Sequence, residues 1–260
     1  MIGIIGGSGL YDMEGVHPQE VRGIMTPYGA PSDEYRICNF AGRDVIFLPR
    51  HGSAHHIPPH RINYKANIWG FKELGAKRII SIGATGGMRP HLSPGTMVIP
   101  DQILDLTSGR DATFHHGEEG VIHIDFTEPY CPVLRDALLE AGKKSGISLH
   151  GTGTYVCVNG PRLETRAEIK VFSLLGADIV GMTAMPEAAL AREAELCYAG
   201  IAVVTNVAAG MSGKKLTAAE VISGMNTAAA QLKTLLQEMF PLIPVARECA
   251  CRDSMRGAKV

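Results

Sequence analysis

Leu74-Gly75-Ala76-Lys77-Arg78-Ile79-Ile80-Ser81-Ile82-Gly83-Ala84-Thr85-Gly86-Gly87 decides the architecture. It leaves a helix-period segment, Ile62 to Leu74, through a glycine suited to the left-handed residue that ends a helix. It then enters a short run rich in β-branched residues. The same junction recurs at Leu175-Gly176-Ala177 before Ile179-Val180, after the helix-period segment Thr165 to Leu175. Repeated helix-to-strand turns of this kind mark an α/β domain.

Working outward, further buried strands are expected at Ile2 to Ile5, Asp44 to Leu48, Arg78 to Ile82, Thr96 to Ile99, Thr154 to Val158, Asp178 to Met182 and Tyr198 to Thr205. Helical periodicity marks Pro132 to Lys144, Pro186 to Glu195 and Thr217 to Met239, the last being the longest. Tyr35 to Arg50, with Gly42-Arg43 in its middle, reads as a hairpin, so the sheet is expected to be mixed. No internal repeat divides the chain. A single α/β domain over residues 1–240 is expected, followed by a tail at 241–260.

Composition excludes several classes of function. The 25 Lys plus Arg against 26 Asp plus Glu give a formal charge of −1, without the basic excess that displaces counterions from nucleic acid. No run of about 18 apolar residues is present to span a bilayer. The opening Met1-Ile2-Gly3-Ile4-Ile5 carries no signal-peptide pattern, so a cytoplasmic location is the expectation. Six cysteines without C-x-x-C spacing are expected to be mostly reduced and buried. Cys249-Ala250-Cys251 could clamp a metal or a redox partner. Among Arg247, Arg252, Asp253 and Arg256 the plainer reading is a loose tail, and no metal site is expected.

Three strand ends converge on one chemistry. Gly6-Gly7-Ser8-Gly9-Leu10 follows the first strand and offers backbone N–H groups and the Ser8 hydroxyl to an anion. The loop does not complete the dinucleotide fingerprint, because Asp12 stands where its third glycine belongs. Pro49-Arg50-His51-Gly52 places a guanidinium, capable of a bidentate grip, and an imidazole donor at another strand end. Gly83-Ala84-Thr85-Gly86-Gly87 adds a second small-residue loop. Together they predict a phosphate site. His51, His55, His56 and His60 tempt a metal reading, but Pro58-Pro59 prevents the helix that would align them and no Asp, Glu or Cys completes a ligand set.

In chain order, six blocks resemble the trimeric purine nucleoside phosphorylase and methylthioadenosine phosphorylase family: Gly6 to Leu10, Pro49 to Gly52, Asn63 to Trp69, Glu128 to Pro132, Gly160 to Glu168, and Gly181 to Glu187. The resemblance covers residues 1 to about 240 and points to the 6-oxopurine type. It implies a mixed, partly barrel-like sheet flanked by helices, and an enzyme in which inorganic phosphate displaces a purine from a ribosyl carbon. No metal or organic cofactor is implied, since phosphate is a co-substrate. By similarity, Ser8, Arg50, His51, Ala84 and Thr183 hold phosphate, and Met182 lies against the sugar beside Leu163. Gly83 departs from the hydroxyl residue usual among methylthioadenosine relatives, so one phosphate hydrogen bond is expected to be missing.

The resemblance also reads base choice. Asn206 stands where adenine-cleaving relatives carry Asp, and Ala208 stands at their following Asp. An amide can donate to O6 and accept from a protonated N7, whereas a carboxylate only accepts. Glu164 matches the glutamate that 6-oxopurine enzymes aim at N1–H. Read without the family, Asn206 would be a strand-end cap and Glu164 a helix-start carboxylate. At the sugar 5′ end, Leu216, Ala218, Val221 and Ile222 imply an apolar pocket on the last helix, and His123 implies a contribution from a neighbouring subunit. That favours 5′-methylthioinosine, with inosine or guanosine as the alternative if the apolar residues are only a buried helix stripe. The implied assembly is a homotrimer. The rival classes are a non-catalytic nucleoside or phosphate sensor and, less well matched, a dinucleotide-binding dehydrogenase.

Overall fold

Strands that read as continuous apolar runs are buried on both faces, and those with mixed composition lie at the sheet edges. The computed structural model describes residues 1–7, 18–117, 120–213 and 215–260. Among these are strands β1 (Ile2–Gly6), β2 (Glu20–Arg22), β3 (Tyr35–Phe40), β4 (Arg43–Pro49), β5 (Arg78–Gly87), β6 (Met97–Val98), β7 (Gln102–Asp105), β8 (Leu149–His150), β9 (Thr154–Cys157), β10 (Ile179–Gly181) and β11 (Cys197–Val207). The helices are α1 (Tyr64–Glu73), α2 (Pro132–Ser145), α3 (Arg166–Leu174), α4 (Ala184–Glu193) and α5 (Ala218–Met239). No helix among the described residues is long and apolar enough to cross a membrane.

All strands belong to one mixed sheet. Its main path runs β2-β3-β4-β1-β5-β10-β9-β7, and β11 branches from β5 to carry β6 and β8. The centre is parallel: β1 pairs with β4 and β5, and β5 pairs with β11. Period-two alternation then sorts the side chains. Ile2, Ile4, Ile80, Ile82, Ala199, Ile201 and Val203 share one core with the buried stripes of α2 and α5. Ile5, Ile79, Tyr198, Ala202 and Val204 turn the other way into a core with α1 and α4. Helices therefore cover both faces, as the sequence predicts.

The expected hairpin is present. β3 and β4 pair antiparallel up to Phe40 opposite Arg43, so Ala41 and Gly42 form the two-residue turn. Both have positive φ, 50° and 73°, as the turn that matches strand twist requires.

The end of the chain is not loose. The Arg78 guanidinium donates to the carbonyls of Pro244 and Ala246 at 2.6 and 3.0 Å, and Arg247 donates to the Glu195 carbonyl at 2.6 Å. Ile243, Cys251 and Ala258 are buried, and the Val260 N–H donates to the Val121 carbonyl. Backbone carbonyls met by Arg78 and Arg247 hold this segment down, a signal that a scan for apolar periodicity does not register.

Candidate active site

The carboxyl ends of β1, β4, β5, β10 and β11 open into one cavity of about 230 Å³. Gly7, Arg50, His51, Gly83, Ala84, Thr183, Met182, Leu163, Glu164, Asn206, Val221 and Ile222 all line it. Most of the residues predicted from sequence therefore converge. Ser8 lies outside the described residues.

Arg50 is held differently from the expectation. It is 1% exposed, and its bidentate pair goes to a buried carboxylate, Glu187: Nε to Oε2 at 2.7 Å and Nη2 to Oε1 at 3.0 Å. Nη2 also meets Ser81 Oγ at 2.7 Å and the Ile5 carbonyl at 3.1 Å, and Nη1 donates to the Ile82 carbonyl at 3.0 Å. Glu187 Oε1 further accepts from Ser81 Oγ and from the Tyr198 hydroxyl, both at 2.8 Å. Burial alone would lower the Arg50 pKa, but the charge and hydrogen bonds of Glu187 more than offset this and raise it. The guanidinium thus offers an anion one remaining Nη1 hydrogen rather than a fork. At Gly83, an added Cβ would sit 3.7 Å from Thr183 Oγ1 and 4.0 Å from Arg50 Nη1. The absent side chain leaves open the space between those two donors. Thr183 precedes α4 and makes no side-chain capping bond, and extended backbone at Met185 (φ −116°, ψ 137°) separates it from the regular helix that starts at Pro186.

His51 also differs. Its Nδ1 lies 2.8 Å from the Ile57 carbonyl, which only accepts, so Nδ1 carries the hydrogen. Burial and, after it, the charge of Arg50 lower its pKa to about 4. In the neutral ring Nε2 is then a lone pair. The expected imidazole donor is instead an acceptor, matched to the P–OH of monohydrogen phosphate.

At the opposite wall, the pairing of β5 with β11 contains a bulge. Val204 faces Thr85 and Asn206 faces Gly86, leaving Thr205 unpaired. A bulge re-aims the side chains that follow it, and here it aims Asn206 into the cavity. Asn206 Oδ1 accepts from Thr205 Oγ1 at 3.0 Å and Nδ2 donates to the Val207 carbonyl at 3.0 Å. One lone pair and one N–H are left over, the number that a 6-oxopurine edge with a protonated N7 consumes.

Glu164 precedes the N-cap of α3. The helix-start role is already filled by a capping box of Thr165 and Glu168, with Arg162 bidentate on Glu168 at 2.9 and 2.6 Å. The Glu164 carboxyl lines the cavity instead, and its pKa is raised, chiefly by burial. If its carboxylate accepts N1–H, kcat/KM on a 6-oxopurine nucleoside falls as pH drops through a pKa above the ordinary glutamate range. Glu164→Gln should flatten that acid limb and lower the plateau by about tenfold or more. An acid limb unchanged in the variant would remove the role.

Four expected residues lie elsewhere. Ala208 is 1% exposed and packs behind the wall, its Cα 3.5 Å from where a Gly86 Cβ would stand. Ala218 and Leu216 do not line the cavity, because the helix face that does so carries Val221, Ile222 and Met225. His123 is exposed, and its N–H donates to the Ala258 carbonyl, away from the cavity of its own chain. Two contributors had not been singled out for this site. Glu187 braces Arg50 from outside the cavity lining, and His55, expected as a loop histidine, lines the cavity with its ring 4.8 Å from that of His51.

Small residues at parallel strand ends, joined to a cavity with a polar edge and an apolar side, form the kind of crevice in which an α/β protein holds a small-molecule ligand. Comparison with known proteins is specific. The profile of the Phosphorylase superfamily matches residues 1–241. The 6-oxopurine nucleoside phosphorylase of Pyrococcus furiosus is 50% identical over 263 residues, covering 99% of this chain and 98% of the relative. The probable S-methyl-5′-thioinosine phosphorylase of Thermodesulfovibrio yellowstonii is 50% identical over 257 residues, covering 99% and 96%. Among solved structures, a variant adenosine/methylthioadenosine phosphorylase of Schistosoma mansoni in complex with methylthioadenosine superposes with a TM-score of 0.92 at 34% identity, covering 99% of this chain and 98% of that one. The chain belongs to the phosphorylase superfamily.

Proposed function

We propose that this protein cleaves 6-oxopurine nucleosides by phosphorolysis, releasing hypoxanthine or guanine and a pentose 1-phosphate, with 5′-methylthioinosine as the favoured substrate. The observation that carries the reading is the presence of Glu164 and Asn206 in the same cavity as Arg50, His51, Gly83 and Thr183. A non-catalytic sensor would need only the anion nest. The reading also agrees with the activities for which the two relatives that are 50% identical are named.

In the reaction a phosphate oxygen bonds to the ribosyl C1′ as the bond from C1′ to N9 breaks, the bonding pair leaves with the purine, and N7 takes a proton from solvent while the P–OH proton is given up in exchange. The transition state has oxocarbenium character, so the phosphate negative charge stabilises the sugar while donors to O6 and an acceptor for N7–H stabilise the departing base. Arg50 Nη1, Thr183 Oγ1 and the N–H groups of the β5 loop fix the phosphate, and neutral His51 accepts its P–OH. Asn206 bridges O6 and N7, and Glu164 takes N1–H. Positioning and electrostatics supply the rate, with phosphate as co-substrate and no resident cofactor required.

Val221, Ile222, Met225 and Met182 give the cavity an apolar side suited to a methylthio group. His55 supports the second reading, in which inosine or guanosine presents a 5′-hydroxyl to an imidazole. Ile222 and Leu163 at the cavity are 51% and 41% exposed in the single chain, which fits a cytoplasmic homotrimer whose neighbour covers them and lends His123.

The test is base release from 5′-methylthioinosine, inosine, guanosine and 5′-methylthioadenosine side by side. Hypoxanthine should appear fastest from methylthioinosine. Faster cleavage of inosine and guanosine would give the 5′ end to His55, and preferential release of adenine would overturn the base assignment.

A further inference from the structure

We propose that Cys131, Cys197, Cys249 and Cys251 form a tetrathiolate site for one Zn²⁺ ion, separate from the phosphorolytic cavity. Their four sulfur atoms lie within 4.8 Å of one another. The cysteines come from three places far apart in sequence. Cys131 is the N-cap residue of α2, Cys197 opens β11, and Cys249 and Cys251 flank the start of a short 3-10 turn, Ala250–Asp253.

Bonds of about 2.3 Å from zinc to sulfur in a tetrahedron put sulfurs about 3.8 Å apart. The observed cluster brackets that edge, from the 3.3 Å of the Cys197 and Cys249 pair up to the 4.8 Å limit. No pair stands at the roughly 2.05 Å of a disulfide, and all six cysteines of the chain are free thiols.

The donor set selects a soft ion. Four sulfurs without a carboxylate or imidazole suit Zn²⁺ and disfavour Mg²⁺ or Ca²⁺. Each thiol gives a lone pair to the ion and its proton to solvent. Four thiolates around a divalent ion leave two excess negative charges, which the surroundings partly offset. The Cys131 sulfur sits at the positive end of α2, and the buried Arg192 guanidinium acts electrostatically on Cys251. Cys131, Cys197 and Cys251 are buried, whereas Cys249 is half-buried and provides a way in.

The ion would clamp the last turn of the chain onto the starts of α2 and β11. None of the four cysteines lines the phosphorolytic cavity, so the clamp acts on stability rather than on the reaction.

The experiment uses the full-length protein purified under reductant without chelator. Elemental analysis should find one zinc per chain. Replacement with Co²⁺ should give the intense sulfur-to-metal charge-transfer and red d–d bands of a tetrahedral thiolate site. Removing the ion should lower the melting temperature by several degrees, and Cys249→Ser should lose the cobalt bands while keeping phosphorolysis. Two results overturn the proposal, and both are read on the unaltered protein whether or not the variant folds. One is reduced protein that takes up neither Zn²⁺ nor Co²⁺ at micromolar excess. The other is protein isolated without reductant whose denatured form titrates only two of its six thiols, the remaining four being joined in disulfides.

Discussion

Asn206→Asp is expected to turn the base preference from 6-oxo toward 6-amino purines. Asn206 keeps one Nδ2 hydrogen and one Oδ1 lone pair beyond its bonds to Val207 and Thr205, and in the proposed function these serve O6 and N7–H. A carboxylate removes the donor and sets two acceptors facing one another, while giving the exocyclic amine of adenine an acceptor. Each buried polar group left without a partner costs roughly 1–3 kcal/mol. The variant should therefore lose about a hundredfold in kcat/KM on hypoxanthine nucleosides and gain on methylthioadenosine. Glu164 still opposes the adenine N1 lone pair, so full adenine activity should require Glu164→Ser as well. Paired kcat/KM values on the two nucleosides check this, and an unchanged ratio would remove Asn206 from base recognition.

The second large effect is expected at Glu187, which never reaches the substrate. Its carboxylate is fully buried and accepts from Arg50, Ser81 and Tyr198. Glu187→Ala leaves a buried guanidinium without its counter-charge, a change that typically costs about 3–5 kcal/mol. Denaturant unfolding should show that loss. Glu187→Gln, which keeps the shape, should raise the phosphate KM far more than the nucleoside KM, because it misdirects the remaining Arg50 donor. Replacing both partners with apolar residues, Arg50→Met with Glu187→Leu, should recover much of the stability and none of the activity. A loss below about 1 kcal/mol in the alanine variant with an unaltered phosphate KM would mean that the pair neither supports the fold nor aims Arg50.

What could be read in advance follows burial. β1, β4, β5 and β11 are covered on both faces, so their sequences are continuous apolar runs. The glycines that release α1 and α3 into β5 and β10 mark the turns. β2, β7 and β8 have two to four residues each and are paired by tertiary neighbours, so they carry no pattern of their own. The convergence of Gly7, Arg50, His51, Gly83 and Ala84 on one cavity was legible because three strands end in small or polar residues in place of apolar ones. Glu187 was not, because its partner lies 137 positions away. Ala208 and Ala218 were carried over from the family as contacts, but packing puts one behind Gly86 and the other off the inward face of α5. The aim of Asn206 depends on a bulge that no single-residue preference announces.

The central claim is that phosphate, rather than water, takes the sugar from a 6-oxopurine. Phosphorus NMR of the protein turning over 5′-methylthioinosine in phosphate buffer tests it most directly. The account predicts a pentose 1-phosphate resonance growing in step with released hypoxanthine, and no base release when phosphate is omitted. Hypoxanthine released without a phosphate ester would make the protein a hydrolase and contradict the assignment of the anion nest.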